Sequence, residues 1–254
     1  MLVAERHKKI LNTVVEEGSV RVSQLSKMFG FTEETIRRDL EKLEREGKLK
    51  RTHGGAISIQ EGEKDLPYAK RETQRVSEKE EIAQLALSFI EEDDCILLDG
   101  SSTANFLAKA LPNIPLTVIT NSVRALMELM PKEKIHVICT GGSFSHTAHS
   151  FLGPLTIQSL DNYHADKAFI SCKALDAKWG ISEANDMQAM VKKKMLEIAQ
   201  TNFLLLDHSK VGKKAITNVA GLEKIDYIIS DALADTELIN EIKSKDVQVI
   251  SPDK

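Results

Sequence analysis

Arg37 and Arg38, with Glu34 and Thr35 before them and Lys48, Lys50, Arg51 and His53 after them, could grip a polyanion and read it. An arginine forks two N–H donors onto guanine O6 and N7, a contact worth about 1–3 kcal/mol against a wrong base. Basic side chains that meet phosphates fix register without reading sequence. Taken singly, such residues also suit a solvated helix face. Their order within Thr32–Ala56, TEETIRRDLEKLEREGKLKRTHGGA, is what points to DNA. Thr32 is a good N-cap, and Glu33 and Glu34 suit the positive end of a helix dipole. Ile36, Leu40 and Leu43 recur at helical spacing, leaving Thr35, Arg37, Arg38, Glu41 and Lys42 on the opposite face. Gly47 stands where a left-handed residue closes a helix. Lys48 to His53 then alternates and Gly54-Gly55 turns, which makes a basic wing.

The residues upstream position that helix. Ile10, Leu11, Val14 and Val15 give a first helix an apolar face that ends near Gly18. Val20-Arg21-Val22 is an extended piece suited to pair with the wing, and Ser23 is placed to cap a short helix carrying Leu25, Met28 and Phe29. Gly30 turns the chain into Thr32. Two helices across a tight turn, followed by a hairpin, form a winged helix-turn-helix over residues 1–57, with the last helix offered to the major groove. The candidate DNA contacts are Ser23, Thr32, Glu34, Thr35, Arg37 and Arg38, with Lys48, Lys50, Arg51 and His53 from the wing.

Charge divides the 254 residues in the same place. Residues 1–57 hold 12 Lys and Arg against 9 Asp and Glu, net +3, and the remainder holds 22 against 29, net −7. A small basic module on a larger acidic one suits a DNA reader attached to something else. The excess is modest, so two or more copies are expected to act together, as a homodimer or homotetramer. MLVAERHKKI lacks a signal-length apolar core, and no run approaches the ~20 apolar residues of a membrane span, so no membrane partner and a cytoplasmic location are expected. Cys95, Cys139 and Cys172 lie in or beside apolar strand patterns and read as reduced core cysteines. The seven histidines form no metal set by spacing, His146 and His149 coming nearest, and no cofactor is expected.

Residues 58–75 are polar, contain Pro67 and read as a linker that turns helical toward its end. A helix from Ser77 to Ile90 follows, with Ile82, Leu85, Ala86 and Phe89 inward. Residues 76–254 then alternate short apolar strands with helices, the pattern of an α/β domain whose mostly parallel sheet is covered on both faces. In such sheets ligands sit beyond the carboxyl ends of the strands. There the chain concentrates Asp99-Gly100-Ser101-Ser102-Thr103, Thr120-Asn121-Ser122, Gly141-Gly142, Ser171-Cys172-Lys173 and Asp207-His208-Ser209-Lys210. The DGSST loop opens a helix whose first amides face any anion in the loop, so phosphate is the natural ligand. Asp99 would repel phosphate and instead bonds sugar hydroxyls or orients the loop. Lys210 supplies a cation, or pairs locally with Asp207.

With TIRRDL spaced from HGGA, and DGSST, TNS, GG and D-x-S-K downstream, the chain resembles the DeoR-type transcriptional regulators along nearly its whole length. The resemblance implies a winged helix-turn-helix joined to a sensor similar to ribose-5-phosphate isomerase. It also implies repression of a sugar-utilisation operon and release of operator DNA on binding a phosphorylated sugar. Effector contacts carried over by motif are Asp99, Gly100, Ser101, Ser102, Thr103, Asn121, Ser122, Gly141, Gly142, Asp207 and Lys210. Where relatives carry Gly-Ala-Asp this chain has Ser171-Cys172-Lys173, so Lys173 is a candidate phosphate or carboxylate clamp. Gln188 stands where relatives often carry glutamate.

The rival reading is a sugar-phosphate isomerase-like enzyme with an attached DNA-binding module. It needs a positioned base and a partner acid. Glu183, Asp166 and Asp176 are near in sequence, whereas Lys173 and Val191 occupy the segments matching the isomerase's acid pair. No nucleophile, base and orienter set is visible, and no catalytic residue is assigned.

Overall fold

The apolar residues at helical spacing in the first 57 positions have one solution, which is to face one another. A computed structural model describes residues 3–17, 19–52, 54–58, 66–231, 241–242 and 246–252. The chain divides into two compact units, Met1–Lys64 and Asp65–Lys254. The first contains α1 (Val3–Glu17), β1 (Ser19–Arg21), α2 (Val22–Phe29), α3 (Glu33–Arg45), β2 (Leu49–Thr52) and β3 (Gly55–Ser58). Ile10 and Val14 of α1, Leu25 of α2, and Ile36, Leu40 and Leu43 of α3 share one core with Val20, Leu49 and Ala56. The strands pair antiparallel in the order β1-β3-β2. At Gly55 a Cβ would lie 1.8 Å from the Val20 carbonyl oxygen, so only glycine lets β1 close against the wing.

Asp39, the acid of TIRRDL, does not face outward with the arginines. It is buried and accepts Arg6 Nε at 2.5 Å, Arg6 Nη2 at 3.0 Å and His7 Nε2 at 3.0 Å, which ties α1 to the middle of α3. Burial pushes its carboxyl up, but bonds and charge from Arg6 and His7 hold it below the usual aspartate range. The Arg6 guanidinium also stacks over Phe31, 4.3 Å from the ring centre.

In the second unit the elements run α4 (Tyr68–Thr73), α5 (Val76–Leu87), β4 (Cys95–Leu98), α6 (Ser102–Ala110), β5 (Leu116–Thr120), α7 (Val123–Leu129) and β6 (Ile135–Cys139). They continue with β7 (Ser143–Ser145), β8 (Ser150–Leu152), α8 (Pro154–Leu160), β9 (Ala165–Ile170), β10 (Ala174–Asp176) and β11 (Gly180–Glu183). The last are α9 (Asp186–Ile198), β12 (Ala199–Leu206), β13 (Thr217–Ala220), β14 (Tyr227–Ser230) and β15 (Gln248–Ile250). Seven strands form a parallel sheet in the order β15-β14-β12-β9-β4-β5-β6. Its two faces fill separate cores: Leu97, Ala168, Ile170, Leu204 and Leu206 on one side, Ile96, Leu98, Phe169, Phe203, Leu205 and Ile229 on the other. Burial on both faces explains the unbroken apolar runs.

The chain builds outward from β4 to β6, then returns to lay β9 on the other side of β4. That reversal is the switch point where a crevice opens at the carboxyl ends of parallel strands. Two antiparallel additions do not follow from the apolar pattern: the β7–β8 hairpin, and the small sheet β10-β11-β13. Residues 66–75 of the expected linker lie in the second unit, and α4 packs there through a fully buried Tyr68. Met127 on α7 and Met130 just past its end are exposed.

Replacing Asp39 leaves Arg6 buried and unpaired. Asp39→Ala is expected to destabilise the first unit by about 3 kcal/mol. Calorimetry of the full chain checks this, and a loss under about 1 kcal/mol would show that the pair contributes no more than a surface one.

Candidate nucleic-acid interface and effector site

Thr32 caps α3 by accepting the Thr35 amide at 3.3 Å, and the two hydroxyls lie 2.9 Å apart. One turn later Arg37 and Arg38 stand out from the helix, exposed and paired with acids four residues earlier: Arg37 with Glu33 at 2.8 Å, Arg38 with Glu34 at 3.3 Å. Such exposed pairs are worth a few tenths of a kcal/mol, so a base edge or phosphate can displace them. In β2 only Leu49 turns inward, while Lys50, Arg51 and Thr52 are exposed. Lys48 pairs with Glu46 at 2.6 Å, and the Arg51 amide donates to Glu44 at 2.7 Å, which fastens the wing to α3. Ser23 does not cap α2. The cap position is Arg21, because the Val22 amide still bonds the Gly54 carbonyl of the wing and Val22 must turn into the core with Leu25. Ser23 therefore sits exposed in the first turn. His53 lies outside the described residues.

In the second unit the polar strand ends share one rim, because all seven strands run the same way. Asp99, at the end of β4, is buried with both carboxylate oxygens engaged. Oδ1 accepts the Ser101 amide at 3.0 Å; Oδ2 accepts the Ser171 amide at 3.1 Å and meets Lys192 Nζ at 2.8 Å. These bonds orient the loop across the switch point. Lys192, on α9, also reaches Glu183 Oε1 at 2.7 Å and the Ser171 carbonyl at 2.6 Å, so the ammonium has three acceptors for its three protons. Burial alone would lower its pKa, but Asp99 and Glu183 outweigh that and hold it above the usual lysine range. For Asp99, burial pushes up while Lys192, Ser101 and the Ser171 amide pull down harder.

Ser101 and Ser122 spend their hydroxyls as N-caps, accepting the Ala104 and Ala125 amides, each at 3.1 Å. Ser102 is buried, and so is Thr103, whose Oγ1 has no partner among the described residues. Gly100 lies against the β7–β8 hairpin, where a Cβ would come 2.7 Å from that of Ser150. Asn121 donates to the Phe151 carbonyl at 2.8 Å, and its Oδ1 is buried with no partner among the described residues. A small cleft opens here, with Asp99, Gly100, Asn121, Ser150, Gln188 and Lys192 in its wall. Gly141 and Gly142 end β6 at the sheet edge, where the Gly141 carbonyl accepts Thr156 Oγ1 at 2.8 Å. Lys173 begins the β10–β11 hairpin, its amide bonded to the Ser182 carbonyl at 3.1 Å.

A second set of charges adjoins the first through Ser171, whose hydroxyl accepts Lys210 Nζ at 2.8 Å. Lys210 lies 3.7 Å from Asp207, and Arg75 lies 3.5 Å from it. Burial raises the Asp207 carboxyl, and Lys210, Ser209 and Arg75 together bring it below the usual range. Lys79, buried on α5, donates to the Arg71 and Gln74 carbonyls. Burial, and then repulsion from Lys210, Arg71 and Arg75, push its pKa down to about 8 against the pull of Asp207. Cys172 is buried between the two sets, its thiol pushed up to about 12 chiefly by desolvation.

Of the candidate metal donors, Glu78, His208 and Asp231 bring ligand atoms within 4.8 Å of one another. His208 Nδ1 and Asp231 already share a hydrogen bond at 2.8 Å. Sequence spacing could not reveal this trio, which comes from three separate elements. Nor did spacing single out Lys79, Arg75 or Lys192, and it gave Glu183 the role of a candidate base. Lys79, Lys192 and Glu183 lie on helices or a strand whose periodicity only says inward, and Arg75 lies in the bend between α4 and α5; a lysine at an inward position of α5 or α9 is the one signal that could have found two of them.

Two outcomes follow. Lys50→Ala and Arg51→Ala each lower the slope of log K against log salt for duplex DNA by about 0.9, read by fluorescence anisotropy; unchanged slopes would take the wing off the phosphates. Lys192→Met leaves Asp99 and Glu183 buried without their shared cation, so the folded pKa of Asp99 rises above the unfolded one. That variant should melt lower at neutral pH and regain stability on acidification toward pH 4, whereas in wild type the contribution of the depressed Asp99 is retained over that descent and is lost only below the unfolded aspartate range. Parallel pH profiles would contradict the assignment.

A family model described as "DeoR-like helix-turn-helix domain" matches residues 6–62, and one described as "DeoR C terminal sensor domain" matches residues 74–232. The "Uncharacterized HTH-type transcriptional regulator YulB" of Bacillus subtilis is 47% identical over 98% of this chain and 96% of its own. The "L-fucose operon activator" of Haemophilus influenzae is 36% identical over 96% of this chain and 98% of its own. Ribose-5-phosphate isomerase A from Methanocaldococcus jannaschii is similar over 52% of this chain and 53% of that one, at 21% identity and a TM-score of 0.39. Among the described residues no helix is long and apolar enough to cross a membrane. Two matched domains and relatives aligned end to end make this chain a DNA-binding transcriptional regulator of the DeoR family.

Proposed function

We propose that this regulator acts in the cytoplasm as a homodimer or homotetramer, represses a sugar-utilisation operon, and releases its operator when a phosphorylated sugar occupies the rim. The observation that carries the reading is the gathering of Lys79, Lys210 and Arg75 around one acid, Asp207, with Arg71 adding its charge beside Lys79, next to strand ends rich in hydroxyls. That excess of cations suits a phosphate dianion. The unpartnered Thr103 Oγ1 and Asn121 Oδ1, with Gln188 and Ser150, offer the polar contacts that an attached sugar would take up.

A sensor rather than a catalyst is supported by the fate of the available carboxylates. Glu183 is bound to Lys192, Asp166 accepts the Cys95 amide at 2.8 Å, and Asp176 accepts the turn amides of Lys178 and Trp179. None is placed as a free base. The likeness to an L-fucose operon activator favours a second reading, in which the ligand raises operator affinity instead.

Thermal melting against phosphorylated sugars and their unphosphorylated parents tests the reading, since a specific ligand stabilises by RT ln(1 + [L]/Kd). One ester should raise the melting temperature while its parent does not. Thr103→Ala combined with Lys210→Ala should abolish that rise and leave operator binding intact. The same ester added to the operator complex gives the sign, release for a repressor and tightening for an activator. Turnover of the ester, or an equal response from the double variant, would overturn the proposal.

A further inference from the structure

We infer that Arg71 and Arg75, carried by the segment that connects the two units in sequence, complete the anion site, and that a bound anion fastens α4 to the sensor body. The inference rests on the reading of the rim as an anion site given above. It adds that the ligand is held partly by the connecting segment itself.

The docking of α4 uses contacts of two kinds. At its start the Tyr68 amide donates to the Thr147 carbonyl at 2.7 Å, and the Tyr68 ring stacks on His149 with centres 5.0 Å apart. Glu72 pairs with Arg124 at 2.6 Å. These contacts need no ligand. At its end the helix meets the charge cluster: Lys79 Nζ bonds the Arg71 and Gln74 carbonyls, and Arg75 reaches Asp207. Arg75 holds a backbone φ of +49°, a left-handed conformation that costs a non-glycine residue and brings its side chain to the rim.

Two cations thus come from the segment and two, Lys79 and Lys210, from the body: Arg75 reaches Asp207, and Arg71 adds its charge beside Lys79, its guanidinium 5.5 Å over the Tyr68 ring and its Nε donating to the Leu66 carbonyl at 3.1 Å. The cations of the joint repel one another, and after burial, the larger cause, their charge adds to the lowering of Lys79. Arg71 Nη2 is also buried with no partner among the described residues. A dianion set among these groups turns repulsion across the joint into attraction from both sides. Anion binding and α4 docking then favour each other, and by linkage the coupling is reciprocal.

The test uses the full chain with inorganic phosphate as probe, sodium chloride holding ionic strength constant. Phosphate should raise the melting temperature and slow amide hydrogen exchange across residues 66–75 by about fivefold, the low end of usual coupling. His149→Asn removes the stack on Tyr68 without altering charge, and asparagine tolerates the positive φ at that position. Looser docking in that variant should weaken phosphate binding severalfold, although His149 is outside the cation cluster. If phosphate stabilises the protein while exchange of 66–75 is unchanged or faster, and His149→Asn binds as wild type does, the coupling is wrong and the anion site stands. If phosphate does not stabilise the protein at all, both readings fall.

Discussion

A single buried ammonium holds the sensor's rim together. Lys192 Nζ touches Asp99 at the end of β4, Glu183 at the end of β11 and the Ser171 carbonyl just past β9. Those are the two strands that flank the switch point and the strand of the small antiparallel sheet. Without the cation the two acids would face each other in a low-dielectric interior, and the loops that form the cleft would have no common anchor. The cluster carries one more negative charge than positive. The adjoining group of Lys79, Lys210 and Arg75 around Asp207 is in excess the other way, and Ser171 touches both. The rim is polarised, with its cationic side free to accept more negative charge.

That polarity separates two jobs in one row of loops. The Asp99 loop is occupied by its own bonds and works as scaffold, while the Lys79 and Lys210 side retains unsatisfied positive charge. In the first unit the division is similar. Asp39 works inward on Arg6 and His7, and its neighbours Arg37 and Arg38 stay outside in weak pairs that a ligand can break. In both units a buried acid bonded through both oxygens holds the backbone beside a group of cations, exposed in the first unit and buried or half-buried in the second.

Much of this was legible in the sequence. The spacing of Ile36, Leu40 and Leu43 with Thr32 and Gly47 defined α3, and the unbroken apolar runs defined the doubly covered sheet and hence the rim. What stayed hidden was long-range pairing. The TIRRDL pattern marks Asp39 as polar but cannot show that Arg6 and His7, more than 30 positions earlier, are its partners. Asp99 reads equally well as a sugar ligand or a loop organiser until both of its oxygens are seen to be bonded. The β7–β8 hairpin has too few apolar residues to announce itself, yet it packs on Gly100 and engages Asn121. Ser23 is the reverse case, a good cap by type displaced because strand pairing runs on through Arg21.

The central claim is that the cationic side of the rim, and not the Asp99 cleft, receives the ligand's phosphate. A crystal structure of the full chain with a stabilising phosphate ester tests it most directly. Phosphate oxygens within hydrogen-bond distance of Lys79 Nζ, Lys210 Nζ and the Arg75 guanidinium, with the sugar toward Asn121, are the expected result. A phosphate bonded to Lys192 with the Asp99 pair broken, or one that leaves Lys79 and Arg75 untouched, would contradict it.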